Sequence, residues 1–464
     1  MTPAMRIPRP LSSASVTSAV GPLTELVASR GLDTVLLATV DPQGRLKGKE
    51  HDARTFLRRL ESGPITPEMC GYVLGTDLGM TPLPNGEFSW ESGFGDIAVL
   101  PDLDHARVIP WEPDTALVLA HPLEDGQPHP LSPATILDEQ LTRLQDLGFE
   151  ARVGIETEFL LYEGTVSEAA AADWRGLRPV TWDNRDYALD RPGPAADFSR
   201  SLRQALAGAA LPVEALKFES APGQVEMTFP YGPAPAACEQ HVLFKHAARA
   251  VAEQHRLAAT FMAAPSDGVG SGMHLHLSLW KDDQPVTASE QDAGALSQAG
   301  GQAVAGLLEA LHEMGPLWAP YVNSHKRLGG PFAPSKLVWG RDNRSCAVRV
   351  VGHGPSLHLE VRLPGADANP YLALAAALAS IRHGITGKLE PDTPVTGDAQ
   401  WADDARVLSR HPWATVERFE ASRTARELLG ERVVDHLVSL AWLEVEHHAD
   451  RVTDAELARG FAQA

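Results

Sequence analysis

The chain has 464 residues, of which 44% are hydrophobic, and a formal net charge of −20 at pH 7. This length and apolar content predict a globular protein of two or three domains, and no apolar run is long enough to cross a membrane. A protein this acidic repels a phosphate backbone, which argues against a nucleic-acid partner. The three cysteines form no CxxC pair and the N-terminus resembles no secretory signal, so a cytoplasmic location is predicted.

The N-terminal part of the sequence predicts a tail followed by a small sheet domain. Residues 1–20 are rich in Pro, Ser and Thr and are predicted to form a flexible tail. Residues 22–31 have helical spacing and end at a glycine, and residues 34–52 are typical of a strand, a turn and a second strand. We therefore predict a small domain over residues 21–119, with the Pro-rich segment 121–133 as a linker.

The remaining residues, 120–464, are predicted to form one large domain in which short strands alternate with helices. Ser132 is a candidate N-cap for the first of these helices. The spacing of apolar residues, many of them alanine, predicts helices over residues 133–147, 236–256, 289–314, 370–385 and 415–450. The strands between these helices carry the candidate functional side chains.

The segment Val153–Tyr162 is the most informative of these strands. Side chains two positions apart on a strand point to the same face, so Glu156 and Glu158 share one face while Ile155 and Phe159 share the other. Two neighbouring ionised carboxylates are costly unless a cation lies between or beside them. This pattern indicates a metal site, with a solvated strand face as the alternative.

Two further segments alternate in the same way. In residues 270–279, His274 and His276 share one strand face and apolar residues share the other. An HxH pair of this kind holds metals in many folds, although two surface histidines would give the same pattern. In residues 357–363, Glu360 is flanked on its face by a histidine and an arginine, and the intervening residues are all apolar.

A fourth segment, residues 217–229, contains the pair Pro222-Gly223, which predicts a turn between two strands. Glu219 and Glu226 can therefore approach each other from neighbouring strands. The five glutamates of these segments, with few imidazoles and no thiolate, favour Mg²⁺ or Mn²⁺ over Zn²⁺. The alternative is that these polar faces look out to bulk water.

A group of arginines follows in the sequence at Arg341, Arg344 and Arg349. Arginines beside a divalent-metal site fit phosphoryl transfer, because guanidinium groups and metals together neutralise the developing charge. For Arg341 a surface role is the alternative. The sequence lacks the GxxxxGK[ST], GxSxG and GxGxxG patterns, so it does not indicate a P-loop enzyme, a serine hydrolase or a dinucleotide-binding fold.

In this order and at these spacings, six motifs resemble the glutamine synthetase superfamily: GIETEF, APGQVE, GSGMHLHLSL, NSHKRL, RDNRSCAVRV and LEVRLPGADANPYLALAAAL. The resemblance implies an α+β fold. A small N-terminal β-grasp-like domain precedes a large catalytic domain, in which antiparallel strands form an active-site funnel surrounded by helices. It also implies a homo-oligomer, commonly a dodecamer. Each active site then lies between the catalytic domain of one subunit and the N-terminal domain of its neighbour.

The resemblance assigns the chemistry residue by residue. Two divalent ions, Mg²⁺ or Mn²⁺, are implied, one held by Glu158, Glu219 and Glu226 and the other by Glu156, His274 and Glu360. The residues implied to contact ATP are His276, Arg344, Arg349 and Tyr231. Those implied to bind glutamate are Gly270, Arg327 and Arg362. Catalytic roles fall to Arg344, at the transferring phosphoryl group, and to Arg327, at glutamate and its phosphorylated intermediate.

The implied reaction has two steps. ATP phosphorylates the γ-carboxylate of glutamate, and an amine then expels phosphate to leave a γ-glutamyl amide. Two metals and several arginines offset the repulsion between the two anions that have to react. Closure of the site then keeps water from hydrolysing the acyl phosphate.

Departures from the family pattern cluster where the amine and glutamate are recognised. Phe332 falls nearest a flap glutamate that helps take a proton from ammonium, and Val269 replaces an asparagine that contacts glutamate. His325 and His358 replace a tyrosine and an arginine. The FAP segment at Phe332 resembles that of γ-glutamyl-amide ligases acting on polyamines, ethanolamine or alkylamines. We therefore predict an organic amine with an apolar part; the alternatives are ammonia and a catalytically silent regulatory paralogue.

Overall fold

The structure is a computed structural model, and it describes residues 13–62, 66–330, 332–403 and 405–462. Within these ranges the helices α1–α14 are, in chain order, Ser13–Arg30, Ala53–Glu61, Pro133–Gln145, Val166–Ala171, Gly193–Gly208, Ala234–Gln254, Gln298–Ala310, Gly315–Trp318, Val322–Arg327, Pro370–Gly387, Pro412–Ala421, Arg423–Leu429, Glu431–Ala449 and Asp454–Gly460. Short 3₁₀ helices are Gly71–Leu74, Leu103–His105, Leu311–Met314, Gly354–Ser356 and Ala399–Trp401. None of the helices in the described ranges is both long and apolar enough to cross a membrane.

The strands described within the same ranges form two sheets. Strands β1–β17 are, in chain order, Thr34–Val40, Leu46–Asp52, Glu68–Cys70, Asp96–Pro101, Arg107–Val108, Thr115–Glu124, Gln127–Pro128, Glu150–Glu163, Ala215–Phe218, Gln224–Thr228, Gly232–Pro233, Leu257–Thr260, Met273–Lys281, Gln284–Pro285, Trp339–Arg341, Val348–Val351 and His358–Val361. The first seven strands make one sheet in the order β2-β1-β6-β4-β3, with β5 and β7 also pairing with β6. The other ten make a second, mainly antiparallel sheet in the order β15-β16-β17-β13-β8-β10-β9.

The N-terminal helix is longer than the sequence predicts. Helix α1 begins at Ser13, so its first turns occupy the end of the predicted flexible tail, whose residues 1–12 lie outside the described residues. The helix ends as predicted, just before Gly31, whose φ of 65° belongs to the left-handed region that glycine adopts readily. The predicted strand-turn-strand unit is confirmed, because β1 and β2 pair as an antiparallel hairpin.

The prediction of a linker over residues 121–133 is wrong. Strand β6 continues to Glu124 and pairs with β7 across the two residues Asp125 and Gly126, which have φ angles of 50° and 74°. Positive φ at both central positions matches a type I′ hairpin turn, for which Asp-Gly is a preferred sequence. The prolines of this segment lie in the hairpin and directly after it. Strand β6 also runs through the predicted domain boundary at 119–120 without a break.

Three of the five helices predicted for the large domain are confirmed, over 133–147, 236–256 and 370–385. The other two differ from the prediction, and helices α4, α5, α8, α9 and α14 were not predicted. The helix predicted over 289–314 begins only at Gln298, where the Ser297 hydroxyl accepts a hydrogen bond from the backbone of Gly300, and it ends in a 3₁₀ turn. The helix predicted over 415–450 is three helices, α11 to α13. Ser422 caps the second of these, and Gly430, with a φ of 92°, separates the last two. Local capping chemistry thus interrupts a continuous apolar pattern.

The apolar core fills the space between the second sheet and the helices behind it. The inward side chains of the central strands are buried; among them are Ile155, Phe159, Val225, Leu275, Leu359 and Val361. Helix α10 is buried along most of its length and packs on α7 and α3. The other face of these strands is therefore left to polar side chains, and the site forms there.

Candidate functional site

Strand register brings the candidate side chains onto one face of the second sheet. The pairs that lie directly opposite each other on neighbouring strands are Glu158 with Glu226, Glu156 with His274, His276 with Glu360, and Arg349 with Glu360. Residues opposite each other on adjacent strands project to the same side of the sheet. Four stretches that are remote in sequence therefore converge on a single surface.

The first cluster consists of Glu158, Glu219 and Glu226, with one carboxylate oxygen from each within 4.8 Å of the others. The predicted turn brings Glu219 beside Glu226, and Gly223 takes a φ of 75° within it. Burial, reinforced by the charges of Glu156 and Glu219, raises the pKa of Glu226 to about 10. Carboxylates that are forced together in this way gain free energy when they bind a cation.

The second cluster consists of Glu156, His276 and Glu360, whose ligand atoms also lie within 4.8 Å of one another. His274 contacts the same two carboxylates, with Nδ1 2.8 Å from Glu156 and 3.6 Å from Glu360. Burial opposes ionisation of Glu156, yet the hydrogen bond from His274 and the nearby imidazole of His276 hold its pKa well below the usual value. Both imidazoles therefore face the same acids, and the assignment of His274 as the ligand remains a prediction.

A hydrogen-bond chain fixes the orientation of His276. His358 donates from Nδ1 to the carbonyl of Ser356 at 2.8 Å, so its Nε2 accepts from Nδ1 of His276 at 3.0 Å. The Nε2 atom of His276 then carries a lone pair, lies 3.7 Å from a Glu156 oxygen, and is buried without a hydrogen-bond partner among the described residues. A buried imidazole nitrogen left in this state is suited to a metal ion or a phosphate.

Two arginines close around Glu360. Arg349 donates to one of its oxygens at 2.8 Å, and Arg362 contacts the other. Burial alone would raise the pKa of Glu360, but these arginines, together with the neighbouring imidazoles, lower it to about 2. Arg362 also donates to the carbonyls of Arg344 and Phe332, at 3.1 and 3.3 Å, and so ties this acid to the segment that carries Phe332.

Arg327 lies under the first cluster. It is buried and donates to the carbonyls of Leu363 and Arg362, at 3.0 and 3.2 Å. Burial lowers its pKa to about 10, while the nearby charge of Glu158 favours its protonated form. Its stem packs on Gly270, where a Cβ atom would lie 3.3 Å from the Arg327 Cγ. Arg327 is thus a fixed cation at the floor of the site.

These groups line one cavity of about 490 Å³. The predicted site residues among its lining are Glu156, Glu158, Glu219, Glu226, Gly270, His274, Arg327, Arg344, Arg349, Glu360 and Arg362. His276 and Tyr231 lie beside each other next to Gly154, outside this lining, and Tyr231 is exposed. Val269 and Phe332 line the cavity, whereas His325 is buried, with Nδ1 3.1 Å from the carbonyl of Ser409.

Several lining residues were missed by the sequence analysis. Lys217 shares a strand face with Glu219 and contacts it, and the alternation of the strand could have revealed this. Gln224 donates to Glu158 and to the carbonyl of Gly270, both at 2.9 Å. Asn184, Asp186 and Tyr187 come from an irregular segment without periodicity, so no local signal pointed to them.

The donor set fits divalent cations. Five carboxylates and two imidazoles face one another, burial and the neighbouring carboxylates raise the pKa of Glu226, and the Nε2 atoms of both imidazoles are buried without partners among the described residues. Oxygen donors in this number suit Mg²⁺ or Mn²⁺. The arginines beside them fit an anionic second ligand such as a phosphate.

The sequence profile described as the glutamine synthetase catalytic domain matches residues 130–459. The chain belongs to the glutamine synthetase family, and it is therefore an ATP-dependent carbon–nitrogen ligase. It is 40% identical to the gamma-glutamylethanolamide synthetase of Streptomyces coelicolor, over 99% of each chain. It is 32% identical to the glutamate–isopropylamine ligase of a Pseudomonas species, over 94% of this chain and 96% of the relative.

A solved structure, a complex of GmaS with ADP, shares the fold. It matches with a TM-score of 0.80 over 95% of this chain and 99% of the other, at 24% sequence identity. The α+β class and the large sheet-based catalytic domain that the sequence predicted are confirmed.

Proposed function

We propose that the protein joins glutamate to an organic amine and forms a γ-glutamyl amide while hydrolysing ATP to ADP and phosphate. The observation that carries this proposal is the convergence of the acids, imidazoles and arginines on one cavity whose rim carries an aromatic side chain, Phe332. Two relatives that match nearly the whole chain are a gamma-glutamylethanolamide synthetase and a glutamate–isopropylamine ligase. Both names contain an organic amine, which supports an organic amine over ammonia as the substrate.

The residues of the cavity suit both steps of this reaction. In the first, a γ-carboxylate oxygen of glutamate takes the γ-phosphoryl group of ATP, and ADP leaves. In the second, the amine nitrogen attacks the carbonyl carbon, the bond from that carbon to the phosphate oxygen breaks, and phosphate leaves. An organic ammonium ion releases one proton before it attacks and a second as the amide forms.

We assign glutamate and the phosphates to the arginines of the cavity. Arg327 and Arg362 are buried cations that can hold a carboxylate, and Arg344 and Arg349 can neutralise a phosphoryl group in transfer. Two Mg²⁺ or Mn²⁺ ions, held by the two clusters as the family resemblance implies, would supply Lewis-acid neutralisation of the phosphates. The chain then has to exclude water, because an acyl phosphate is readily hydrolysed.

Phe332 supports an amine with an apolar part. Its side chain is 70% exposed at the cavity, and its φ of 59° is a left-handed conformation that costs a bulky residue about 1–2 kcal/mol. A carboxylate at this place would stabilise a small ammonium ion, whereas an aromatic ring offers an apolar surface to an alkyl chain. Among the described residues, those that line the cavity all lie between 156 and 362. In the homo-oligomer that the family resemblance implies, which we propose to be a dodecamer, a neighbouring subunit would complete the outer side of the cavity.

An amine panel tests this function. With ATP, Mg²⁺ and glutamate, we expect ethanolamine or isopropylamine to support ADP release and amide formation, the latter identified by mass spectrometry, with kcat/KM at least about tenfold above ammonium. Phe332→Glu should raise the ratio of ammonium to organic-amine turnover by about tenfold, and Phe332→Leu serves as the matched apolar control.

Two results would contradict the proposal. Preferred turnover of ammonium by the wild-type enzyme would make it a glutamine synthetase. If no amine released ADP and calorimetry showed no binding of Mg²⁺-ATP, the silent-paralogue alternative would replace it.

A further inference from the structure

Six carboxylates line the cavity, and each of them already has a partner. Glu156 pairs with His274, Glu158 accepts hydrogen bonds from Gln224 and Gly272, Glu360 pairs with Arg349 and Arg362, and the remaining three, Asp186, Glu219 and Glu226, meet at Lys217. Among the described residues of this lining, each carboxylate therefore contacts a donor of the chain or belongs to a cluster suited to a divalent ion, and none is free to bind the ammonium group of a substrate.

The ammonium group of Lys217 lies among three carboxylates and one aromatic ring. Its Nζ contacts Glu219, lies 3.6 Å from an oxygen of Glu226 and 3.6 Å from one of Asp186, and sits 4.7 Å from the ring centre of Tyr187. Carboxylates together with an aromatic face make up the usual binding site for an ammonium group. Here the chain supplies the ammonium group from its own side chain.

We propose that Lys217 is a specificity-determining residue that selects amines with one cationic group and rejects amines with a second one. This inference rests on the proposed function, because it concerns the amine that the ligase accepts. A diamine brings a second ammonium group into the cavity, where it meets the like charge of Lys217 and finds Asp186 and Glu219 already paired. An uncharged tail avoids this repulsion and can lie against Tyr187 and Phe332, each of which is 70% exposed.

Metal binding leaves this selection in place. Glu219 and Glu226 would hold a divalent ion in the loaded first cluster, and that ion would add positive charge beside Lys217. Asp186 and Tyr187 then remain as partners of the Lys217 ammonium group. In either state the second ammonium group of a diamine faces positive charge that no free carboxylate offsets, which is a repulsive element of specificity.

Butylamine and putrescine provide a matched test, since the two differ only by the second amino group. With saturating ATP, Mg²⁺ and glutamate, we expect the wild-type kcat/KM for butylamine to exceed that for putrescine by about tenfold, equivalent to about 1.4 kcal/mol. Lys217→Gln removes the charge, frees Asp186, and should lower this ratio about tenfold through the KM for putrescine. Lys217→Arg keeps the charge and should keep the ratio.

The double variant Lys217→Gln with Asp186→Asn also removes the carboxylate that the single variant frees. It therefore separates the effect of that free charge from the structural effect of losing the lysine. Because the freed carboxylate is what recruits the second ammonium group, its removal should return the ratio towards the wild-type value. Mn²⁺ calorimetry on each variant checks that the ratio is compared at saturated metal sites.

Two outcomes overturn the inference: equal use of both amines by the wild-type enzyme, or an equal loss for both amines in Lys217→Gln. Either outcome leaves the proposed function intact, since amides still form. The absence of any amide with every amine instead rejects the function itself.

Discussion

Two regions of the molecule each bring three acidic or imidazole side chains within reach of one cation. One is the cluster of Glu158, Glu219 and Glu226 in the cavity. The other, Glu87, Glu124 and His129, lies where the N-terminal sheet meets helix α13, and Arg432 of that helix fills it. The guanidinium group donates to both oxygens of Glu87 at 2.6 Å and to both oxygens of Glu124 at 2.5 and 2.8 Å.

The charge states of the acids distinguish the two clusters. Hydrogen bonds from Arg432 lower the pKa values of Glu87 and Glu124. In the cavity, burial and neighbouring carboxylates raise the pKa of Glu226 to about 10, even with Lys217 nearby. The cluster whose two acids are both paired with Arg432, here called the neutralised cluster, joins two parts of the fold. A cluster in which burial and neighbouring acids oppose ionisation beside a cavity indicates a binding site.

The largest effect is expected from Glu226→Gln. Removing this carboxylate should weaken Mn²⁺ binding in calorimetry and lower kcat/KM by about 1,000-fold or more, because metal ions contribute several kcal/mol to charge stabilisation. The melting temperature should stay the same or rise, since the substitution relieves repulsion between buried acids.

Glu124→Gln is the matched control, because it removes an acid from the neutralised cluster. It should leave Mn²⁺ binding and turnover unchanged. If Glu226→Gln left Mn²⁺ binding unchanged while Glu124→Gln weakened it, the roles assigned to the two clusters would be wrong.

The sequence predicted the faces of the strands but not their partners. Alternation alone placed Glu156 beside Glu158 and His274 beside His276, because side-chain direction on a strand is a local property. Which glutamate faces which imidazole depends on register between strands remote in sequence. The family resemblance assigns His276 to a phosphate of ATP. In the structure His276 lies opposite Glu360, and its ligand atom is within 4.8 Å of those of Glu360 and Glu156.

Errors in the fold prediction have equally local causes. The Pro-rich segment was interpreted as a linker, yet its Asp125-Gly126 pair closes a hairpin, so turn chemistry outweighed proline content. Asp186 and Tyr187 reach the cavity from an irregular segment, and only tertiary packing beside strand β9 places them there, with the Tyr187 amide donating to Phe218 at 3.3 Å. No periodic pattern could have indicated those residues.

An effect of intermediate size on stability is expected from a change in pH, through a buried histidine beside the neutralised cluster. His436 of α13 is buried and donates from Nε2 to the carbonyl of Leu74 at 2.8 Å, and burial lowers its pKa to about 4. The unfolded chain takes up a proton near pH 6.5, which the folded form cannot do until about pH 4. Stability therefore falls with decreasing pH across this window, by about 2 kcal/mol between pH 7 and pH 5 from this one residue.

His436→Gln should remove that part of the acid sensitivity, measured as the difference between unfolding midpoints at the two pH values. His447→Gln, an exposed substitution on the same helix, is the control and should behave as the wild type. An unchanged pH dependence in His436→Gln would show that this histidine is not held neutral.

The smallest effect is expected from Arg432→Gln. Its guanidinium group is 42% exposed and its two partners are similarly exposed, so water and salt screen the ion pairs, and the loss of stability should be about 1 kcal/mol. The difference from the wild type should shrink at 1 M salt, where the Debye length is only about 3 Å. Mn²⁺ binding in the cavity should not change, because Arg432 holds the N-terminal sheet to α13 and contacts none of the cavity residues described here. Loss of metal binding in this variant would show that the two acidic clusters are coupled and would contradict the division between a neutralised joint and an open site.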